Sequence, residues 1–202
     1  MSSLSVTDDL FFNRAGLDLI KTEAIIADAL ASADDGELFL EYSQSESFSW
    51  DDGRLKKASY DTANGFGLRA VADEATGYAH ASILAEDALR RAGATVKAVH
   101  AGYAGNSAVF EPPIGTNRIL YSPDNPLLPV PFAAKVKLLA DIDDYARSLD
   151  SRVRQVSIGM FAEWQAVQII RADGCRVADL RPLVRLSVSV ICADGERMEH
   201  GS

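Results

Sequence analysis

A G-x-G-x-x-A spacing, formed by Gly65, Gly67 and Ala70, is the first feature of the sequence that could carry chemistry. In dinucleotide-binding proteins such glycines follow a strand and open directly into a helix, whose N-terminal N–H groups bind the pyrophosphate. Here an alternating strand, a turn and another short strand follow Gly67, and no helix is expected before Ser82. The pattern therefore argues against a phosphate loop. We expect the glycines to mark a bulge or a close approach of backbones within a sheet.

Histidine and cysteine, the usual zinc ligands, do not form a metal motif in this sequence. The histidines are His80, His100 and His200, and none is spaced as the paired histidines of a zinc-binding helix. We expect His80 to be a packed or half-exposed ring on a strand. The two cysteines, Cys175 and Cys192, form no C-x-x-C motif and suit a reducing compartment.

The carboxylate pairs and serines of the sequence do not form a catalytic group either. The adjacent acidic pairs are Asp34-Asp35, Asp51-Asp52 and Asp143-Asp144. Paired carboxylates divide acid and base roles only where their surroundings separate their pKa values, and at turns or on helix surfaces we expect both to be solvated and ionised. The G-x-S-x-G motif of a serine nucleophile is absent around Ser157 and Gly159. We therefore predict no catalytic, cofactor-binding or metal-binding residue in the chain.

Composition and charge narrow the class of protein. The chain has 202 residues, 48% of them hydrophobic, which is enough to bury a core without disulfides or metals. A net charge of −9 opposes direct binding to nucleic acid, and the basic clusters at 54–57 and 152–154 alternate with apolar residues as solvated strand faces do. The N-terminus is polar and acidic, and no run approaches the ~18 apolar residues of a membrane span. These features predict a cytoplasmic protein without a membrane partner.

The elements that must position these residues follow from hydrophobic periodicity and turn signals. The predicted elements of the first half are a helix over 17–30, strands over 37–50, 54–62, 65–72 and 77–82, and a helix over 83–99 that Ser82 caps. Asp52-Gly53 is typical of a type I′ hairpin turn. Prolines and glycines interrupt 101–131, and a helix is predicted over 132–149.

The last part of the chain predicts antiparallel strands joined by turns at Asp173-Gly174 and Asp194-Gly195. Residues 183–191 alternate so regularly that one face of their strand should be buried. The fold class predicted is α+β: antiparallel β-meanders covered by helices, a two-layer sandwich. We expect an N-terminal domain over 1–110 with a four-stranded meander, a connection over 111–131, and a second, incomplete α+β region over 132–202.

Three segments together resemble a known family. They are GFGLRA at 65–70, TGYA at 76–79 and DLRPLVRLSV at 179–188. From about residue 36 to the end, the chain is similar to the N-terminal half of TldD-type members of the TldD/PmbA metallopeptidases, and the last segment favours TldD over its PmbA (TldE) relative. The resemblance implies a PmbA/TldD-type N-terminal fold and a cytoplasmic zinc peptidase that cleaves unfolded or extended peptides.

The resemblance also implies where the chemistry lies. The family's zinc site is an H-E-x-x-x-H helix with a further cysteine in the C-terminal half, and no position of this chain matches it. We therefore expect this chain to be the front part of such a peptidase, with scaffolding and subunit-contact roles, and to be inactive alone. We also expect it to self-associate and to bind a PmbA/TldE-like partner. An unpaired strand edge is expected around 183–191. The alternative is a non-catalytic PmbA/TldE-like partner subunit or peptide-binding module. A third hypothesis is a DNA- or gyrase-binding regulator, which the negative net charge disfavours.

Overall fold

The structure, a computed structural model, describes residues 2–99, 101 and 121–202. Its helices are α1 (Ser3–Asp8), α2 (Leu19–Ala29), α3 (Glu86–Val99) and α4 (Phe132–Leu149), and α1 continues into a π-helical turn over Asp9–Arg14. Side chains that bind free N–H groups set the start of the first two helices. Ser2 Oγ accepts a hydrogen bond from Ser5 N at 3.2 Å, and Asp18 Oδ1 accepts one from Lys21 N at 2.9 Å.

Six strands form one sheet in the order β3-β2-β1-β4-β5-β6. They are β1 (Asp35–Asp51), β2 (Arg54–Ala72), β3 (Ala75–Ala81), β4 (Val153–Arg171), β5 (Arg176–Asp194) and β6 (Arg197–Gly201). The β2–β3 and β5–β6 pairs are antiparallel. The predicted α+β class is confirmed.

The chain divides into two compact units. Unit 1 comprises 1–43, 63–122 and 165–180, and unit 2 comprises 44–62, 123–164 and 181–202. In unit 1, α3 packs against β3 and α2 packs against α3. The apolar side chains that these helices and strands bury include Ile26, Leu38, Leu40, Leu68, Leu89 and Val96.

Unit 2 has its own core between α4 and the strands. Its buried members are Phe48, Trp50, Leu139, Val156, Ile158 and Met160. Two charged residues of α4, Lys135 and Asp143, are buried on the same helix face as Leu139 because the three are spaced by four residues. Lys135 pairs with the carboxylate of Glu46 and donates a hydrogen bond to Leu127 O at 2.9 Å.

Two predicted element boundaries are wrong. The strands expected over 54–62 and 65–72 are one strand, β2, because Asn64 and Gly65 keep extended backbone and neither has a positive φ. The meander of the first half therefore has three strands rather than four. Helix α3 begins at Glu86 rather than after Ser82, since Glu86 and Asp87 supply the negative charge that favours a helix N-terminus.

The turns behave as predicted at Asp52-Gly53, where both residues have positive φ, of 48° and 79°. The predicted burial of one face of 183–191 is wrong for its first part. Leu183, Val184 and Leu186 are 52%, 60% and 47% exposed. Strand β6 pairs only with Val190–Asp194, so Leu183 and its neighbours have no strand on that edge among the described residues.

The connection predicted over 111–131 lies partly outside the described residues. Its described portion, 121–131, contains neither helix nor strand. Across the described part of the chain, none of the helices combines the length and the apolar character needed to span a membrane.

Candidate functional site

The open face of the sheet in unit 1 carries a groove. Gly77 faces α3, because a Cβ there would lie 3.1 Å from Val96 Cα. Side chains alternate along a strand, so Tyr78 and His80 lie on opposite sides of β3 from Gly77 and Ala79. Gly67 pairs with His80 in the β2–β3 register and shares that open face.

Residues of three neighbouring strands, β1, β2 and β3, line this groove. The cavity has a volume of about 330 Å³, and the residues that matter for its chemistry are Phe39, Glu41, Gly65, Gly67, Tyr78 and His80. A Cβ at Gly67 would lie 2.7 Å from Tyr78 Oη, so the absence of a side chain gives the tyrosine ring its place. The His80 ring stacks on Tyr78 with centroids 5.7 Å apart.

The groove carries one charged lining residue among the described residues that form it, Glu41. Glu41 Oε1 accepts a hydrogen bond from Gln165 Nε2 at 2.9 Å, which fixes the carboxylate. A separate cluster of ions lies on the same strands: Arg69 donates to Glu37 at 2.8 Å, and Asp35 pairs with Arg69 and Arg171. The hydrogen bonds that Arg69 donates to the Glu37 carboxylate hold the pKa of the guanidinium above its usual range.

This arrangement can bind and orient a ligand. Its aromatic rings offer flat faces, and its carboxylate offers an anionic acceptor. Within the part of the chain that the structure describes, no three histidine, cysteine or acidic side chains are grouped so as to hold a metal ion.

The residues singled out by motif have clear positions. Gly65 and Gly67 lie within β2 and approach neighbouring atoms closely: a Cβ on Gly65 would lie 2.7 Å from Ala81 O. The next element after β2 is strand β3 and not a helix, which agrees with the prediction that these glycines do not form a phosphate loop. His80 is exposed on β3, while His100 lies outside the described residues.

The remaining candidates are dispersed. His200 lies on the exposed strand β6, Cys175 is exposed beside a turn, and Cys192 is half-buried. Both cysteines are free thiols. Ser157 Oγ donates a hydrogen bond to Asp51 Oδ1 at 2.8 Å, which is a contact within the sheet.

The expectation that the Asp143-Asp144 pair is solvated is wrong for Asp143. Its side chain is buried and accepts hydrogen bonds from Trp50 Nε1 at 2.8 Å, Gly53 N at 2.7 Å and Arg147 Nε at 2.7 Å. Arg147 also donates to Asp52 at 2.6 Å. Asp143 therefore ties the β1–β2 turn to α4, and its neighbour Asp144 remains exposed.

Other acidic residues have structural partners as well. Hydrogen bonds from Gln155 and Ser157 hold the pKa of Asp51 below its usual range. Hydrogen bonds from Arg152 lower the pKa of Asp150 to about 2. Asp34 Oδ2 accepts from Asp73 N at 2.7 Å in the β2–β3 turn. These carboxylates stabilise turns and strand contacts.

Sequence reasoning missed Glu41, Tyr78 and Phe39 as members of one site. Phe39 and Glu41 are two apart on β1 and therefore share a face, which the alternation of that strand indicates. The two glycines opposite them, Gly65 and Gly67, were the signal that the sheet face has a depression there. The sequence alone does not show that β1 and β3 pair with the two sides of β2.

Profiles of one protein family match most of the chain. The "PmbA/TldA metallopeptidase domain 1" matches residues 36–99, and the "PmbA/TldA metallopeptidase central domain" matches residues 125–202. A "Metalloprotease TldD homolog" from Haemophilus influenzae is 35% identical over 170 residues, which is 84% of this chain and 35% of the relative. The corresponding protein from Buchnera aphidicola subsp. Schizaphis graminum is 30% identical over 83% of this chain and 35% of the relative.

A solved structure has the same fold. The crystal structure of TldE from Thermococcus kodakarensis superposes with a TM-score of 0.68, at 16% identity, over 88% of this chain and 40% of that one. The chain spans about a third of the length of the curated relatives that it matches. It belongs to the PmbA/TldD family of metallopeptidases and matches the family's first and central domains.

Proposed function

We propose that this chain is the non-catalytic front part of a TldD-like zinc metallopeptidase that cleaves unfolded or extended peptides. The observation that carries the proposal is the match of its two family profiles, at 36–99 and 125–202, to the first and central domains. Its curated relatives are named as TldD homologues and are about three times as long as the matched segment.

The division of labour follows from the residues present. A peptidase of this kind needs imidazole ligands and a glutamate that activates water on Zn²⁺. The sequence contains three histidines and no H-E-x-x-x-H motif. We therefore assign zinc binding and hydrolysis to residues outside this chain, and scaffolding, subunit contact and enclosure of the peptide to the domains over 1–110 and 132–202, joined by 111–131.

The partners proposed are a TldE-like subunit, further copies of the chain and a peptide substrate, in the cytoplasm. The fold shared with TldE supports a pair of similar subunits. Exposed Leu183, Val184 and Leu186 on β5 support a contact surface on this part of the chain.

The test starts with the coding sequence beyond Ser202. We expect it to encode H-E-x-x-x-H, and we expect the longer product to cleave an unfolded peptide in a chelator-sensitive reaction followed by mass spectrometry. The 202-residue chain with added zinc is the matched comparison and should release no product. Hydrolysis by that chain would contradict the division of labour.

The same experiment decides the alternative. A reading frame that continues without H-E-x-x-x-H makes the chain part of a PmbA/TldE-like non-catalytic subunit or peptide-binding module. The observation in its favour is the fold shared with TldE, while the names of the sequence relatives favour TldD.

A further inference from the structure

We propose that the groove on the open face of unit 1 binds the guanidinium group of an arginine side chain in an extended peptide. The inference rests on the proposed function for the peptide itself, and it adds a substrate class and a binding site. It starts from the lining of the groove, which combines aromatic rings of Phe39 and Tyr78 with the carboxylate of Glu41.

Charge selects a cation for this groove. Glu41 is the one lining residue of fixed charge among those described, and its Oε1 is held by Gln165 at 2.9 Å. A neutral ligand would remove water from the Glu41 carboxylate without replacing the lost hydrogen bonds, which is unfavourable. A cation with N–H donors replaces them.

Shape selects a planar cation. The Tyr78 ring leans over Gly67 on β2, with Oη, Cε2 and Cζ 2.7 to 3.2 Å from the position of a Cβ there, and it offers an aromatic surface in the groove that Phe39 and Glu41 also line. A guanidinium stacks on aromatic faces and presents paired N–H groups to one carboxylate, whereas an ammonium does neither.

The geometry also indicates how the peptide runs. A peptide that added to the free edge of β3 would lie three strand spacings from β1, about 14 Å, which is farther than an arginine side chain extends. Such a peptide could not reach Glu41. We therefore infer that the peptide crosses the open face of the sheet, where the groove lies.

The experiment is an NMR titration of the isotope-labelled protein with the peptide Gly-Gly-Arg-Gly-Gly. We expect the backbone amides of Gly65, Gly67 and His80 to shift. The two matched peptides contain citrulline, which has the same shape without charge, or lysine in place of arginine. Both should bind at least fivefold more weakly. Equal binding of the citrulline peptide, equal binding of the lysine peptide, shifts confined to other regions or no shifts would each overturn the proposal.

Variants of the protein separate the two parts of the site. Glu41→Gln should weaken binding of the arginine peptide about tenfold, the size of one charged hydrogen bond. Tyr78→Leu should weaken it about threefold to fivefold through the lost ring contact. Glu74→Gln, in the exposed β2–β3 turn, is the control and should leave binding unchanged. Unchanged binding by Glu41→Gln would refute the assignment.

Failure of this inference is distinguishable from failure of the proposed function. If the longer product hydrolyses an arginine-free peptide and the groove shows no arginine-specific binding, the groove assignment is wrong and the proposed peptidase function still stands. If the groove binds arginine specifically and the longer product shows no zinc-dependent hydrolysis, the groove assignment stands and the proposed peptidase function is wrong.

Discussion

Replacing Asp143 by alanine should destabilise the protein more than any substitution on the exposed face of α4. The carboxylate is 2% exposed and accepts three hydrogen bonds, from Trp50, Gly53 and Arg147. A carboxylate acceptor strengthens each of these bonds relative to a neutral one. The free energy lost with each hydrogen bond differs, because the three donors differ in their access to water.

The expected loss in the free energy of unfolding is the sum of the losses at the three donors. Trp50 is 8% exposed, so its indole N–H would be left buried without an acceptor, at about 1 to 3 kcal/mol. Gly53 lies in an exposed turn, and its N–H can bind water at a cost of about 1 kcal/mol. Arg147 is 34% exposed and keeps Asp52, so its loss is about 0.5 kcal/mol. We expect a total of about 2.5 to 4.5 kcal/mol.

The assay is urea unfolding followed by tryptophan fluorescence. Asp143→Asn keeps one acceptor oxygen and should cost about 2 kcal/mol, which gives a measurable value even if the alanine variant does not fold. Asp144→Ala removes an exposed neighbour on the same helix and should change stability by less than about 0.5 kcal/mol. A cost below about 1 kcal/mol for Asp143→Ala would refute the reasoning that buried donors depend on this carboxylate.

Three further predictions concern charge and exposed apolar surface. Asp150 has a pKa of about 2, below its ordinary 3.8; the stability it contributes is present above pH 4 and lost as the pH falls towards 2, and Arg152→Gln should return the NMR-measured pKa towards 3.8. Lys135→Met should cost about 3 to 5 kcal/mol because Glu46 is left buried and unpaired, and adding Glu46→Leu should restore most of it; an equal loss in the double variant would contradict this. Val184→Lys should reduce self-association in analytical ultracentrifugation at an unchanged melting temperature, and unchanged self-association would argue against a contact surface on β5.

Much of the fold could be predicted because its signals are local. Asp52-Gly53 forms the predicted turn, since few residue pairs tolerate positive φ at both positions. The helix predicted over 132–149 is observed as Phe132–Leu149. The break predicted between residues 62 and 65 is absent, because Asn64 and Gly65 also fit an extended strand and strand pairing makes β2 continuous.

The candidate site was less predictable because its members come together only through pairing. Nothing near Glu41 in the sequence points to Tyr78, which lies on β3, two strands away in the sheet. Asp143 was misjudged for a similar reason. A carboxylate on a helix is usually solvated, and its burial depends on the donors that Trp50 and Gly53 bring from a distant hairpin.

The close fit of Tyr78 over Gly67 has a consequence for how this surface can evolve. A Cβ at position 67 and the tyrosine hydroxyl would claim the same space, 2.7 Å apart. Any larger residue at 67 must therefore be accompanied by a smaller or displaced side chain at 78. Among related sequences, a residue larger than glycine at 67 should therefore be accompanied by a smaller side chain at 78 or by a ring turned away from position 67.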